Sequence, residues 1–362
     1  MSECSQNSPV QQEMIAPRHL DAVPAETGGN HSSNGHRVEP LLHRFFRKMK
    51  TNDRCFSAMV SVFKTLQRLG ISLGPNHFYW PVPNVSELER QHWPAGRLDA
   101  PVDLHFPAQL DFLQEMATQY APEWNFSEHP SDSDYHYNNG FFESVDAEIA
   151  YSVVRRFKPS RIIEVGGGYS TRLLTQALRT NIEQNGGRAE LTTIDPCMEE
   201  SRDFDTSIRA QVIPRPVQEI DLDLFLSLEE GDVLFLDSSH VARVGSDVVY
   251  EYLEILPRLQ KGVLIHAHDI FLPHDYPMPW VVDNLSFWNE QYLLLAFLSF
   301  NSTFEVLWSS SGMQLFHPRT LEKVIPHWRQ SHRKLPKGFQ RFVPSLDGER
   351  IWPSSFWMRR AA

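Results

Sequence analysis

From residue 161 onward the chain alternates short apolar runs with longer amphipathic ones. The runs at 161–165, 190–194, 211–213, 232–236, 262–267 and 304–308 are too short for helices and are bounded by glycine or polar residues, so they predict strands. Between them, apolar residues recur at helical spacing over 170–180, 199–209, 245–259 and 285–299, predicting helices. Strands that alternate with helices imply a mostly parallel sheet covered on both faces. The final stretch Ser354-Ser355-Phe356-Trp357-Met358-Arg359-Arg360 predicts a last strand added after an insertion.

Upstream the pattern is different. Residues 1–38 are rich in Ser, Asn, Gln, Gly and Pro without apolar period, as expected of a disordered tail. Leu41, Leu42, Phe45, Phe46 and Met49, then Met59, Val60, Phe63, Leu66 and Leu69, recur at helical spacing. The stretch 41–69 carries seven Lys or Arg against Asp53, which reads as a solvated helical face or as a docking face for an acidic surface or lipid-linked substrate. An aromatic, proline-rich loop follows (His77 to Pro83), with Phe78, Tyr79 and Trp80 able to stack on a sugar or to pack on the main domain. A helix is expected over 109–120, a polar and aromatic turn over 134–142, and a helix over 144–157 with Ser144 as its N-cap. The expected organisation is a tail at 1–38, a helical and loop region at 39–134 that caps substrate, an α/β domain at 135–316, and a C-terminal segment at 317–362. Residues 318–362 hold ten basic residues against Glu322, Asp347 and Glu349.

Composition narrows the function classes. The 362 residues carry 34 basic and 45 acidic side chains, a formal net charge of −11, which argues against general nucleic-acid binding. Cys4, Cys55 and Cys197 are scattered and odd in number, so neither a disulfide framework nor a zinc cluster is expected, and a reducing cytoplasm is. The longest strongly apolar run, Tyr292–Phe300, is far short of the roughly 20 residues that span a bilayer, so no transmembrane segment is expected.

The candidate chemistry gathers at the ends of the predicted strands. Glu164-Val165-Gly166-Gly167-Gly168-Tyr169-Ser170 leaves a strand, turns on glycines and enters a helix, the construction of a nucleotide-type pocket. The full G-x-G-x-x-G of a dinucleotide site is missing. A carboxylate at Glu164 would repel a pyrophosphate but suits a cationic ligand such as the amino acid end of S-adenosylmethionine (SAM). Asp195 ends the second strand, where a carboxylate accepts hydrogen bonds from both ribose hydroxyls. Asp237, after the fourth strand, and His268–Asp269, after the fifth, would then converge at the carboxyl edge of the sheet. There they suit a divalent metal, or else Asp237 touches SAM and His268–Asp269 form a buried pair. His240, three residues past Asp237, suits a base, with a structural or ligand role equally open. His274-Asp275-Tyr276-Pro277 is expected at the rim, and Trp288 and Tyr292 in the core.

Four ordered motifs carry a resemblance: Gly140-Phe141-Phe142-Glu143-Ser144-Val145-Asp146-Ala147-Glu148, Glu164–Thr171, Phe235-Leu236-Asp237-Ser238-Ser239-His240-Val241 and Ile265-His266-Ala267-His268-Asp269-Ile270-Phe271. Together, with Trp288-Asn289-Glu290-Gln291-Tyr292, they resemble class I SAM-dependent methyltransferases, closest to a bacterial subgroup of saccharide and natural-product biosynthesis enzymes. The resemblance implies a Rossmann-like class I methyltransferase fold with a mostly parallel seven-stranded sheet over about residues 135–310, plus a helical N-terminal extension. It implies SAM bound by Glu164, Gly166, Gly168, Ser170, Asp195 and Asp237. Catechol O-methyltransferase and its relatives hold Mg²⁺ with an Asp after strand four and an Asp-Asn pair after strand five. By position that implies a metal, Mg²⁺ or another divalent ion, at Asp237, His268 and Asp269. Those relatives place a lysine base where His240 stands. The implied activity is O-methylation of a hydroxyl on a saccharide or secondary metabolite. The alternatives are a metal-dependent hydroxylase or hydrolase on the same fold, using His240, His266, His268 and Asp269, and a non-catalytic SAM-binding partner protein.

Overall fold

The computed structural model describes residues 53–72, 74, 80–90, 102–131, 134–198, 208–282, 284–330 and 353–362. The expected tail at 1–38, the loop residues Phe78 and Tyr79, and most of the expected helix 199–209 lie outside these residues. The chain divides into two compact units, Met1–Pro75 and Asn76–Ala362. The first contains helix α1 (Asp53–Arg68). The second opens with α2 (Val85–Arg90), α3 (Phe106–Tyr120) and α4 (Asp146–Phe157). It continues with β1 (Arg161–Val165), α5 (Tyr169–Asn185), β2 (Glu190–Ile194), β3 (Arg209–Ile213), α6 (Leu222–Leu226), β4 (Val233–Leu236), α7 (Asp247–Tyr250), β5 (Leu264–Ala267), α8 (Met278–Val282) and α9 (Glu290–Leu298). The last elements are β6 (Phe304–Ser309), α10 (Ser310–Phe316), α11 (Pro318–Val324), α12 (Pro326–Gln330) and β7 (Phe356–Arg360).

The seven strands form one sheet in the order β3-β2-β1-β4-β5-β7-β6. The first five are parallel, and β7 runs antiparallel between β5 and β6. Strand order reverses beside β1, with β2 on one side and β4 on the other, and such a switch point opens a crevice at the carboxyl ends of the strands. Alternation along β1 assigns its side chains to two cores. Ile162 packs with Leu173, Ala177 and Val153 on the α4/α5 face, while Ile163 and Val165 join Leu234, Tyr252 and Ile255 on the other.

Three expectations meet a different structure. Residue 209, expected to end a helix, begins β3, which pairs with β2 from Glu190↔Arg209 onward. Ser144 is not the N-cap of α4: Val145 holds that position with φ 79°, and the Glu148 carboxylate caps the turn by accepting from Val145 N–H at 2.6 Å and Ser144 Oγ at 2.9 Å. The expected helix 245–259 is only one α turn, after which Glu251–Ile255 is π-helical and Leu256–Arg258 is 3₁₀. The wider π turn buries two consecutive residues, Glu251 and Tyr252, on the inner side. Helix α3 belongs to the sheet's own unit, with Leu113 in its core and Gln109 Oε1 accepting from Ser309 N–H at 2.9 Å.

Candidate functional site

At the switch point β1 runs into Gly166-Gly167-Gly168 and α5 begins at Tyr169. Glu164 is fully buried, and its carboxylate accepts from Ser170 Oγ and Thr171 Oγ1 at 2.7 Å and from Thr193 Oγ1 at 2.8 Å. It therefore staples the turn from inside. Burial pushes its carboxyl up to about 7 despite those three hydroxyls. Gly166 has φ 82°, and a Cβ there would meet the Asp237 carbonyl oxygen at 1.9 Å. Among the described residues a Cβ on Gly168 would meet nothing within 4 Å, which leaves space in front of the α5 N-terminus. Asp195, half-buried at the end of β2, accepts from Gly167 N–H at 3.0 Å and Cys197 N–H at 2.7 Å. Each oxygen keeps a lone pair free for further donors. An open glycine turn, a helix N-terminus and a strand-end carboxylate fit the nucleoside and methionine ends of SAM.

The second half of the site lies past β4 and β5. Strand β5 ends at Ala267, and Asp269 has φ 54°, so Asp269 turns toward the same point as its neighbour instead of the opposite face. His240 has φ 59°. Its Nε2 lies 3.5 Å from Asp237 Oδ1 and 3.4 Å from Asp269 Oδ2. His268 Nδ1 lies 3.6 Å from Asp237 Oδ1 and 3.5 Å from Asp269 Oδ1. Among the described residues the group whose ligand atoms all lie within 4.8 Å of one another is Asp237, His240 and Asp269. His268 approaches both carboxylates but stands outside that group, its ring packed 5.1 Å from Phe142 and its Nε2 3.7 Å from Asp146. Two donors each about 2.1 Å from a common ion and about 90–110° apart are roughly 3.0–3.4 Å from each other, so these spacings fit a divalent cation. His266 lies behind the cluster, its ring 5.7 Å from that of His268, and is not one of its members. It is fully buried, stacked 3.7 Å from Phe235, with Nε2 2.8 Å from Ser355 Oγ.

Electrostatics follow from this crowding. Burial opposes charge on every member. For His240 the Asp237, Glu290 and Asp269 carboxylates outweigh it and hold the imidazole well above its ordinary value. The carboxylates of Asp237 and Asp269 do the same for His268. Burial also disfavours the Asp237 anion, yet the two imidazoles hold its carboxyl well below the usual range, while burial keeps Asp269 above it.

A cleft of about 520 Å³ opens on this cluster. Beyond the cluster it is lined by Gly140, Phe141 and Glu143 and by Trp280, Asn284, Ser286 and Trp288. Trp288, expected in the core, instead stands 4.6 Å from the His240 ring and 5.0 Å from Trp280. Tyr276, expected at the rim, is buried beneath them, and Asp275 accepts from Tyr292 Oη. Thr171 and Glu290 stood in the sequence motifs without a role, and Thr193 in none of them; Thr171 and Thr193 complete the Glu164 cradle and Glu290 holds His240. A polar residue inside a strand or in a helix's first turn has an ordinary reading in cross-strand pairing or the helix dipole.

The sequence family described as a methyltransferase domain matches residues 163–270, from β1 past Asp269. Residues 163–270 of this chain are therefore a methyltransferase domain. An uncharacterized protein of Archaeoglobus fulgidus is 30% identical over 175 residues, which is 46% of this chain and 77% of that protein. Two solved structures show weak spatial likeness. One is SAH-bound Podospora anserina methyltransferase PaMTH1, with TM-score 0.31 and 15% identity over 66% of this chain and 93% of that one. The other is the plantazolicin methyltransferase BamL with a desmethyl analogue and SAH, with TM-score 0.31 and 12% identity over 72% and 100%. Among the described residues no helix is long and apolar enough to cross a membrane.

Proposed function

We propose that this methyltransferase moves the SAM methyl group to a hydroxyl oxygen of a saccharide or secondary metabolite. The supporting observation is the contact between the two halves of the site. Gly166 of the glycine turn packs directly on the backbone of Asp237, whose side chain belongs to the carboxylate–imidazole cluster. Donor and acceptor sites so joined allow the acceptor oxygen to be aligned with the methyl carbon, which is most of what such an enzyme must do.

SAM, when bound, supplies the activated methyl sulfonium. Asp195 would accept from its ribose hydroxyls, and Gly166, Gly168 and Ser170 would frame its methionine end at the α5 N-terminus. Glu164 contributes its field and the shape of the turn, since no part of it reaches the surface. Asp237 and Asp269 would hold a divalent ion, with His240 or His268 as the imidazole ligand; such an ion lowers the pKa of a bound hydroxyl. Where His268 is that ligand, His240, once it has released its own Nε2 proton, would take the acceptor proton at that atom, which faces the cleft. Trp280 and Trp288 offer flat apolar faces, and Asn284 and Ser286 offer hydrogen bonds, the combination that suits a sugar ring or a ring-bearing metabolite.

The family match covers His240, His266, His268 and Asp269, the residues on which a hydroxylase or hydrolase reading would rest, and so favours methyl transfer at them. The test is methyl transfer from labelled SAM to a panel of hydroxylated acceptors, with and without chelator. Transfer to nitrogen or carbon acceptors alone overturns the O-methyl reading, and full activity in chelator removes the ion from it.

A further inference from the structure

His240 is held in place by an unusual number of groups for a loop residue. It lies three residues past the strand-end Asp237 in left-handed backbone, φ 59°, which a histidine adopts at a cost of about 1 kcal/mol. The loop Ser238-Ser239-His240 is tied down at every residue. Ser238 Oγ donates to Glu251 Oε2 at 3.0 Å, and Ser239 donates through N–H and Oγ to Asp247 at 3.0 and 2.6 Å. The His240 carbonyl accepts from the N–H groups of Asn289 and Glu290 at 3.0 and 3.2 Å, so the α9 N-terminus closes on the loop. Asn289 Oδ1 then accepts from Ala242 N–H at 2.6 Å.

The ring itself has one partner on its far side. Nδ1 lies 2.9 Å from Glu290 Oε2, and Glu290 is 1% exposed. The second oxygen of Glu290 accepts from Tyr252 Oη at 2.9 Å. Tyr252 reaches it because the π turn places Glu251 and Tyr252 side by side facing inward, one toward Ser238 and the other toward Glu290. An acceptor on Nδ1 requires a proton there, which leaves Nε2 as the nitrogen that faces Asp237, Asp269 and the cleft.

We propose that Glu290 is the positioning residue of the site: braced by Tyr252, it fixes the His240 ring with Nδ1 protonated and Nε2 directed into the cleft. This rests on the proposed methyl transfer only in naming what Nε2 serves; the fixing of the ring stands apart from it. Two variants separate the effect from folding. Glu290→Gln keeps an oxygen that accepts from Nδ1–H. Glu290→Leu fills the same volume and accepts nothing.

The experiment uses the full chain with ¹⁵N-imidazole histidine. A slowly exchanging, low-field Nδ1–H signal is expected in the wild type, identified by its absence in His240→Asn. It should persist in Glu290→Gln and vanish in Glu290→Leu. Binding of the demethylated cofactor, unchanged in both, shows that the donor site is folded. For methyl transfer, kcat should fall at least tenfold in Glu290→Leu with KM for SAM unchanged, and recover to within about threefold in Glu290→Gln. Persistence of the signal in Glu290→Leu would show that Trp288 and the two aspartates suffice to hold the ring, and overturns the proposal. If no acceptor is turned over, the function proposed above fails and the Nδ1–H signal alone decides the role of Glu290.

Discussion

Gly166 and Asp237 are in backbone contact: a Cβ added to the glycine would lie 1.9 Å from the aspartate's carbonyl oxygen. Neither can move alone, because Asp237 N–H donates to Val165 O at 2.8 Å and Gly166 N–H to Ile194 O at 2.9 Å. Gly166→Ala adds a left-handed φ to that clash, so a loss of more than about 3 kcal/mol is expected, read as a melting temperature lowered by many degrees or as insoluble protein. Gly168→Ala is the contrast. Its φ is 174°, extended, and its Cβ would enter open space. Stability should change by less than about 1 kcal/mol, while calorimetry should show binding of the demethylated cofactor weakened at least tenfold, since the methyl enters the space proposed for it. Equal losses of stability in the two variants would contradict this division of labour.

Asp195 is expected to carry the ribose. Its existing partners, Gly167 N–H and Cys197 N–H, shape the turn but leave each oxygen able to accept again. Asp195→Asn should cost cofactor affinity about 10- to 100-fold, because one acceptor becomes a donor facing a hydroxyl. Undiminished affinity in isothermal titration would remove Asp195 from the proposed donor site.

The parts of this fold legible in the sequence are those where local pattern and tertiary role agree. The runs at 161–165 and 190–194 coincide with β1 and β2, because their apolar and β-branched residues suit buried parallel strands. The helix at 245–259 misled because its periodicity does not show a π turn, which exists so that Glu251 and Tyr252 can both face inward. Asp237, His240 and Asp269 were legible as strand-end polar residues after apolar runs. Their convergence was not fully so, since it depends on left-handed backbone at two non-glycine positions. Glu290 was invisible as His240's partner: fifty residues separate them, and a glutamate in a helix's first turn needs no partner to be explained.

The cluster at Asp237 makes a metal prediction that does not depend on turnover. If the two aspartates hold a divalent ion, Mn²⁺ should raise the melting temperature in proportion to the logarithm of its concentration, as a ligand that binds only the folded state must. Asp269→Asn should abolish that rise. His240→Asn and His268→Asn then assign the imidazole ligand: the one that loses the rise holds the ion, and the other is left for the proton. A melting temperature indifferent to Mn²⁺ in the wild type would leave the cluster as a hydrogen-bonded group without an ion.

Glu164 yields the pH prediction. Burial raises its carboxyl to about 7 from an ordinary 4.5. Below pH 4.5 it is protonated both folded and unfolded, and its full contribution to stability is present. As pH rises from there, the unfolded chain ionises first, and stability declines until the folded carboxyl also ionises near 7. The total is about 3 kcal/mol at 1.36 kcal/mol per unit. Glu143, also raised to about 7 by burial, acts in the same direction. Glu164→Gln cannot ionise, so its melting temperature should fall less than that of the wild type between pH 5 and pH 8. At pH 8 the variant should be at least as stable as the wild type, provided its amide can replace the acceptors used by Ser170, Thr171 and Thr193. The same variant should bind SAM more weakly than the neutral part of the site would explain, because the field of the carboxylate is lost. Parallel melting curves for the two proteins across that range would show that Glu164 is ionised, or neutral, throughout.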